Sequence, residues 1–340
     1  MTVEGSEFLM VQNISSDGER KLLAILKVLS ESSDPLGSAA IARELERYGI
    51  SLSERGVRYN LKIADERGYT QSLGRDGRML TQQGFQELTA ALAPERIGFV
   101  LEKLELLAFQ TTFDPEKRTG RLPINTSLID KSQFKKAISV MAPAFKAGIC
   151  VSDLVVTASA GEKLGSVVVP AGKIGLATVC SAAINGVMLK AGVPVESKFG
   201  GVLEVRKSQP SRFVAIINYS GTSLDPSEQY IRARMTSVGK IIASGSGRLL
   251  ANFRELPAPS RAVVDEKINL LKAAGIGGVY ALGNTSEPLC QIPVGLNRVG
   301  MVLLGGLNPV TLAVEAGIEV DNIAESGLVD FEELVSFWGL

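Results

Sequence analysis

Three basic side chains that follow position 50 have the spacing of a cationic helix face. Arg55, Arg58 and Lys62 recur at intervals of three and four residues, so they share one side of a helix. Val57 and Leu61 lie on the opposite side, where they can pack inward. Guanidinium and ammonium groups bind phosphate oxygens. The pattern therefore predicts a surface that contacts a polyanion such as nucleic acid.

Sequence signals at both ends delimit this helix and the segment after it. Ser51 with Glu54 three residues later has the spacing of a capping box, and Gly68 suits a left-handed C-terminal cap. Two glycines, at positions 74 and 77, then bracket a turn that carries two arginines, Arg75 and Arg78. The sequence thus predicts a capped helix followed by a short basic hairpin, or wing.

Two amphipathic helical patterns, in 19–30 and 38–49, precede the capped helix. Three helices followed by a hairpin is the order of a winged helix-turn-helix, whose third helix reads DNA. Base contacts are expected from residues near the start of that helix, namely Ser53, Arg55, Arg58 and Tyr59. Phosphate contacts are expected from Lys62, Arg75 and Arg78. The alternative is an ordinary solvated basic stripe, but it leaves the cap, the two preceding helices and the wing unexplained.

Net charge gives this interpretation no help. The 340-residue chain has 36 basic and 36 acidic residues, and residues 1–92 contain 11 Lys and Arg against 13 Asp and Glu. Any binding of DNA must therefore depend on where a few cations stand, not on bulk charge.

A second candidate site lies where the apolar segment ending at Thr178 leads into a helical pattern containing Asn185. Free N–H groups at a helix N-terminus bind carboxylates, and a small residue such as Cys180 allows a ligand to approach. The candidate anion-binding residues are Thr178, Cys180, Ser181 and Asn185, with Lys198 and Arg298 as possible sources of positive charge. A plain buried turn between a strand and a helix explains the same pattern.

Alternating strand and helix patterns, rich in glycine, begin near residue 112 and indicate an α/β or α+β domain. Residues 173–195 align without gaps to residues 298–320, which predicts two strand–helix–strand copies packed as pseudo-symmetric halves with a cleft between them. The predicted fold is α+β: a disordered tail over 1–18, a winged helix over 19–92, a linker helix over 93–111 and a regulatory domain over 112–340.

The composition argues against several classes of function. The chain contains no histidine, which excludes Ser-His-Asp and Cys-His catalysis and imidazole metal ligands. Three widely separated cysteines argue against a zinc site or a disulfide framework and favour a reducing cytoplasm. No apolar run reaches the roughly 20 residues needed to span a bilayer. We therefore expect a protein that is not an enzyme and has no metal or cofactor.

Several segments resemble the NrpR family, the nitrogen-regulatory repressors of methanogenic archaea. The carrying segments include G-R-D-G-R-M-L-T-Q-Q-G, T-V-C-S-A-A-I-N-G-V-M-L-K-A-G-V-P-V-E-S-K-F-G-G and P-V-G-L-N-R-V-G-M-V-L-L-G-G-L-N-P. The N-terminal part is similar to the winged helix of ribonuclease R, and the remainder to a single NrpR regulatory domain.

The resemblance implies a homodimer that binds a palindromic operator of nitrogen-assimilation genes and is released by 2-oxoglutarate. It also implies that a partner chain with its own regulatory domain could take part. Two alternatives stay open at the level of sequence. The first is a winged-helix regulator that senses a different small anion, and the second is an accessory protein of RNA processing.

Overall fold

The computed structural model describes residues 16–32, 34–47, 49–91 and 99–340, and the chain divides into two compact units between Glu95 and Arg96. The tail expected over 1–18 lies outside the described residues up to position 15, and a helix begins at Ser16. Within the described ranges, no helix is both long and apolar enough to cross a membrane.

The first unit has the element order predicted for a winged helix, and this prediction is confirmed. Its elements are α1 (Ser16–Ser30), α2 (Ser38–Arg47), α3 (Glu54–Glu66), β1 (Thr70–Ser72), β2 (Arg78–Leu80) and α4 (Gln82–Ala91). Strands β1 and β2 pair antiparallel, and Leu36 adds a bridge to Arg78 with both backbone hydrogen bonds at 3.0 Å. Ile25, Leu45 and Leu61 are fully buried and join the first three helices in one core.

The N-terminal cap of α3 differs from the prediction. Ser53, not Ser51, precedes the first helical residue, and its Oγ accepts a hydrogen bond from the N–H of Gly56 at 3.2 Å. Glu54 is therefore the first residue of the helix and not the partner in a capping box, although its carboxylate still faces the positive end of the helix. Serine is a favourable N-cap residue at either position, and the hydrogen bond from Gly56 identifies Ser53 as the cap. Gly68 has a φ of +73°, which confirms the predicted left-handed cap.

Within residues 99–340, the second unit contains seven α-helices and twelve strands. Its elements are α5 (Phe99–Gln110), β3 (Arg121–Asp130), α6 (Phe134–Lys146), β4 (Leu154–Ala158), β5 (Lys163–Leu164), β6 (Val167–Val168), β7 (Lys173–Val179), α7 (Ala182–Lys190), β8 (Glu196–Arg206), β9 (Gln209–Asn218), α8 (Pro226–Arg232), α9 (Val238–Ser244), β10 (Gly247–Pro257), α10 (Arg261–Ala273), β11 (Val279–Thr285), β12 (Arg298–Leu304), α11 (Asn308–Glu315), β13 (Val320–Asp330) and β14 (Val335–Ser336).

Two five-stranded antiparallel sheets form the frame of this unit. Their strand orders are β11-β12-β10-β8-β9 and β13-β3-β7-β4-β14. Of the linker helix expected over 93–111, residues 93–98 lie outside the described residues. Phe99–Gln110 form α5, which packs on α7 within the second unit. Gly186 of α7 allows this close approach, since a Cβ there would overlap the side chain of Thr111.

The predicted duplication is present as two copies of a strand–helix–strand unit. The first copy is β7-α7-β8 and the second is β12-α11-β13. In each copy the last strand pairs in the sheet that contains the other copy's first strand, so β8 joins β10 and β13 joins β3. The two halves therefore exchange a strand, and the turns that begin α7 and α11 are contributed by different halves.

Candidate functional site

The predicted DNA-contacting face of α3 is exposed, and its cations differ in how they are paired. Tyr59 is 68% exposed, and Arg55 is exposed with no ion pair among the described residues. Arg58 lies 3.4 Å from Glu54, and Lys62 lies 3.8 Å from Glu66. Such exposed pairs are weak, contributing about 0–1 kcal/mol, so a phosphate can replace the carboxylate. Ser53 is exposed, but its hydroxyl oxygen accepts the hydrogen bond that caps the helix.

The two arginines of the wing have different surroundings. Arg75 is exposed at the tip, whereas Arg78 is half-buried and donates from Nε to Asp65 at 2.9 Å. Asp65 belongs to α3 and also accepts from the hydroxyl of Thr70 at the start of the wing. Arg78 thus ties the wing to α3, a structural role that the spacing of basic residues alone does not reveal.

The two candidate residues Cys180 and Ser181 line a small internal cavity in the second unit. The corresponding residues of the second copy, Gly305 and Gly306, line the same cavity, which confirms a cleft between the two copies. The space available is about 20 Å³, roughly enough for one water molecule. Further lining comes from β3, β10, β13, α5 and the segment around α8, through Asn125, Asn252, Arg254, Glu325, Leu104, Tyr219 and Asp225.

A fully buried arginine lines this cavity. Arg254, on β10, is 0% exposed, and its Nη2 has no hydrogen-bond partner among the described residues. Its other contacts are poor: Nε donates to Asn185 at 3.4 Å and Nη1 to the carbonyl of Phe253 at 3.3 Å. The guanidinium carbon lies 5.1 Å from the ring centroid of Tyr219. A buried guanidinium that lacks an ion pair in the described structure is costly unless an anion joins it.

A network of amides and hydroxyls fixes the walls around Arg254. The Tyr219 hydroxyl donates to Oδ1 of Asn252 at 2.6 Å, and Nδ2 of Asn252 donates to the Ser181 hydroxyl at 3.0 Å. On the other side, the N–H of Glu325 donates to Oδ1 of Asn125 at 3.0 Å. Asn125 lies opposite Thr178 in its sheet, and Asn252 lies opposite Leu303, the residue of the second copy that corresponds to Thr178. The two asparagines are thus placed alike in the two halves.

Two carboxyl groups share the cavity with Arg254, those of the buried Glu325 and the half-buried Asp225. Desolvation, with the nearby charge of Asp225 as a second cause, raises the pKa of Glu325 well above its ordinary value. Desolvation also raises the pKa of Asp225, which caps α8 by accepting from the N–H of Glu228 at 3.0 Å. Glu325 has a φ of +53°, a left-handed conformation that is strained for a non-glycine residue. Carboxyl groups that hold their protons can donate hydrogen bonds to a bound anion.

The remaining candidates from the sequence occupy other positions. Thr178 is buried behind the turn, with no partner for Oγ1 in the described part of the chain, and Asn185 reaches the cavity only through Arg254. Lys198 and Arg298 do not line the cavity, since both pair with Glu196 and Glu255. Burial raises the pKa of the Cys180 thiol to about 12, so this group stays protonated.

Sequence reasoning missed the residues that surround the turn at Cys180 and Ser181, the candidate anion-binding site. Arg254 and Asn252 are not among the predicted site residues, although a charged and an amide side chain two residues apart in an apolar run share one buried face. That alternation was the available signal. Asp225, Tyr219 and Glu325 are distant in sequence, and only the fold brings them to Arg254.

Comparisons with known proteins cover both units. Residues 23–88 match the ribonuclease R winged-helix domain, and residues 97–336 match the NrpR regulatory domains NRD1 and 2. The chain is 38% identical over 316 residues to the global nitrogen regulator NrpRI of Methanosarcina mazei, covering 93% of this chain and 97% of that protein.

Two longer relatives are similar over the same region. The global nitrogen regulators NrpR of Methanococcus maripaludis and Methanocaldococcus jannaschii are each 30% identical, over 91% and 94% of this chain. The chain spans only 54% and 56% of their lengths. A crystal structure of a nitrogen repressor-like protein from Methanococcus jannaschii aligns with a TM-score of 0.60 and 28% identity, over 70% of this chain and 98% of that one. The chain therefore belongs to the NrpR family.

Proposed function

We propose that this chain is a transcriptional repressor of nitrogen-assimilation genes that binds a palindromic operator as a dimer and is released by 2-oxoglutarate. The observation that carries the proposal is Arg254, a fully buried guanidinium with an unpartnered Nη2 in a chain whose first unit is a winged helix. A DNA-binding domain joined to a domain with an internal anion site is the arrangement of a ligand-controlled regulator. The names of the relatives support nitrogen as the regulated metabolism.

The chemistry of the cavity suits a carboxylate ligand. A guanidinium binds a carboxylate through two parallel hydrogen bonds, and the protonated forms of Glu325 and Asp225 can donate to further oxygens. A dicarboxylate of the size of 2-oxoglutarate exceeds the space of about 20 Å³, so the walls must move when it binds. Binding that requires movement can select between two conformations of the protein, which is what regulation needs.

DNA recognition is assigned to α3 and the wing. Ser53, Arg55, Arg58 and Tyr59 would face base edges, and Lys62 and Arg75 would face phosphates. The proposal departs from the sequence interpretation at one residue, Arg78, because its pairing with Asp65 holds the wing in place.

We expect Arg55→Gln and Arg78→Gln to affect DNA binding in different ways. Arg55→Gln should weaken operator binding by about 1–3 kcal/mol and leave the thermal stability of the first unit unchanged, as for a residue that contacts bases. Arg78→Gln should lower that stability, because it leaves Asp65 half-buried without its ion pair. Gel shifts and thermal denaturation of the full chain measure both. An Arg55→Gln protein with normal operator affinity would remove Arg55 from the interface.

Calorimetry with 2-oxoglutarate, and gel shifts with and without it, test the effector. The expected result is saturable binding together with release of a palindromic operator duplex. No binding at millimolar 2-oxoglutarate would refute this effector but leave the assignment of DNA binding intact. A thermal-shift panel of small acids then identifies any other anion. Preference for structured RNA over the operator would instead support the role in RNA processing.

The dimer, the cytoplasmic location and a partner chain with its own regulatory domain belong to the same proposal. A palindromic operator presents two half-sites, which a two-fold symmetric dimer matches. Analytical ultracentrifugation of the chain, alone and with operator, measures the stoichiometry. A monomer that binds one half-site with full affinity would contradict the dimer.

A further inference from the structure

A second cationic surface lies in the second unit, away from the Arg254 cavity. It is an open groove of about 760 Å³ between the β8–β9 hairpin, the residues that follow α8, the start of α9 and the start of β10. Five exposed basic side chains line it, namely Arg206, Lys207, Arg234, Lys240 and Arg248. Because the whole chain has equal numbers of basic and acidic residues, this concentration does not follow from overall composition.

Most of these cations lack a carboxylate partner. Arg206 lies 2.9 Å from Glu204, a carboxylate that Arg212 also contacts at 2.9 Å. In the described part of the chain, no ion pair involves any of the other four residues. Glu315, on a neighbouring helix, accepts hydrogen bonds from the N–H groups of Val238 and Gly239 at the start of α9. The groove therefore has five basic side chains and one acidic side chain, Glu204, in its lining.

Two of the cations occupy backbone positions that favour glycine. Lys207 has a φ of +50° in the β8–β9 turn, and Arg234 has a φ of +52° after α8. Glycine adopts this conformation without steric cost, whereas other residues pay for it. A lysine occupies one of these positions and an arginine the other, and both residues line the same groove.

The rest of the lining indicates which anion the groove fits. Among the described residues, its lining contains no aromatic side chain on which a base could stack. Its floor presents the hydroxyls of Ser237 and Ser246, each of which accepts a backbone N–H and keeps its own proton to donate. Basic side chains and hydroxyl groups are the groups that contact the phosphodiester backbone of nucleic acid.

We infer that this groove binds the phosphate backbone of the same duplex DNA that the winged helix recognises, an inference that rests on the proposed function. The predicted DNA-contacting set of the first unit has five cations, of which Arg58, Lys62 and Arg78 are already ion-paired. Phosphate contacts supply much of the affinity for DNA, and a net acidic winged-helix segment supplies few of them. The groove provides four further cations that are unpaired in the described structure.

The test is the salt dependence of DNA binding by the full chain. Fluorescence anisotropy with an operator duplex at a series of salt concentrations gives the slope of log affinity against log salt. The triple variant Lys207→Gln, Lys240→Gln, Arg248→Gln is compared with the matched control Lys131→Gln, Lys163→Gln, Lys272→Gln, which removes three exposed lysines of the same unit outside the groove. Each lost phosphate contact reduces the slope by about one unit.

The expected result is a slope two to three units shallower for the groove variant, by about one unit per contact, and an unchanged slope for the control. Binding of 2-oxoglutarate should be the same in all three proteins. Equal slopes for the wild type and the groove variant would overturn the inference and leave the proposed function standing. Loss of ATP binding in the groove variant, with an unchanged DNA slope, would show a site for small phosphates instead. A wild-type chain that binds no duplex DNA would overturn both.

Discussion

Replacing Arg254 with methionine is expected to weaken binding of 2-oxoglutarate by about 30-fold to more than a thousandfold, from the ~2–5 kcal/mol lost when one partner of a buried charge pair is removed. The side chain is fully buried, its Nη2 is free within the described structure, and a bound carboxylate is the partner it lacks. The fold should persist, because exchanging a buried, unpaired charge for an apolar side chain of similar length is often neutral or stabilising. Operator binding should remain but no longer respond to the effector.

Calorimetry, melting temperature and gel shifts measure these three outcomes for Arg254→Met. Arg298→Met is the matched comparison, since the sequence placed Arg298 at the effector whereas the structure pairs it with Glu196. Arg232→Met, on the exposed face of α8, controls for loss of an arginine in general. If Arg298→Met lost effector binding while Arg254→Met bound normally, the effector would bind near Arg298 and not in the Arg254 cavity.

Glu325→Gln is expected to change the pH dependence of both effector binding and stability. The pKa of Glu325 is raised in the folded chain, so the native state holds a proton that the unfolded chain releases. Stability is therefore complete below the ordinary glutamate pKa and falls as the pH rises towards the folded value. The same ionisation places a negative charge beside a bound carboxylate, so effector affinity should also fall with rising pH, by up to about tenfold per unit for one linked proton.

The glutamine variant keeps the shape and a hydrogen-bond donor but cannot ionise. Its effector affinity and its denaturation midpoint should vary less between pH 6 and 8. The number of protons linked to each process should fall by about one. The other charges facing this group are those of Asp225, Glu228, Lys103 and Arg254, and they remain in the variant. Titrations in two buffers of different ionisation enthalpy count the protons taken up. An equally steep pH dependence in Glu325→Gln would assign the titration to Asp225.

In the first unit, local sequence patterns predict the secondary structure but not the role of every basic residue. The α3 stripe and the wing follow from spacings of three and four residues and from two glycines, which are signals within one element. The role of Arg78 did not follow, because its partner Asp65 belongs to another element, as the penultimate residue of α3. A list of basic residues cannot separate a cation that binds DNA from one that holds the wing.

The second unit shows why the buried site was only half predicted. The turn at Cys180 and Ser181 was identified because a strand runs directly into a helix there, and the repeat was visible as an alignment without gaps. Arg254 belongs to β10, in the other sheet from β7, and its position depends on antiparallel pairing that periodicity does not specify. Lys198 and Arg298 have the charge expected for binding an anion, but they form ion pairs with Glu196 and Glu255.

The exchange of β8 and β13 between the two sheets has a mechanical consequence. Two halves that share strands cannot swing apart like a hinge, because that would break rows of backbone hydrogen bonds on both sides of the cavity. The wall that can yield is the one outside the exchanged strands, and α8 is part of it. Asp225 at the start of α8 lines the cavity, and Arg234 just beyond its end lines the cationic groove. Because α8 is only about 10 Å long, a ligand that displaced Asp225 would also shift Arg234, and occupancy of the cavity would be coupled to the groove at the surface.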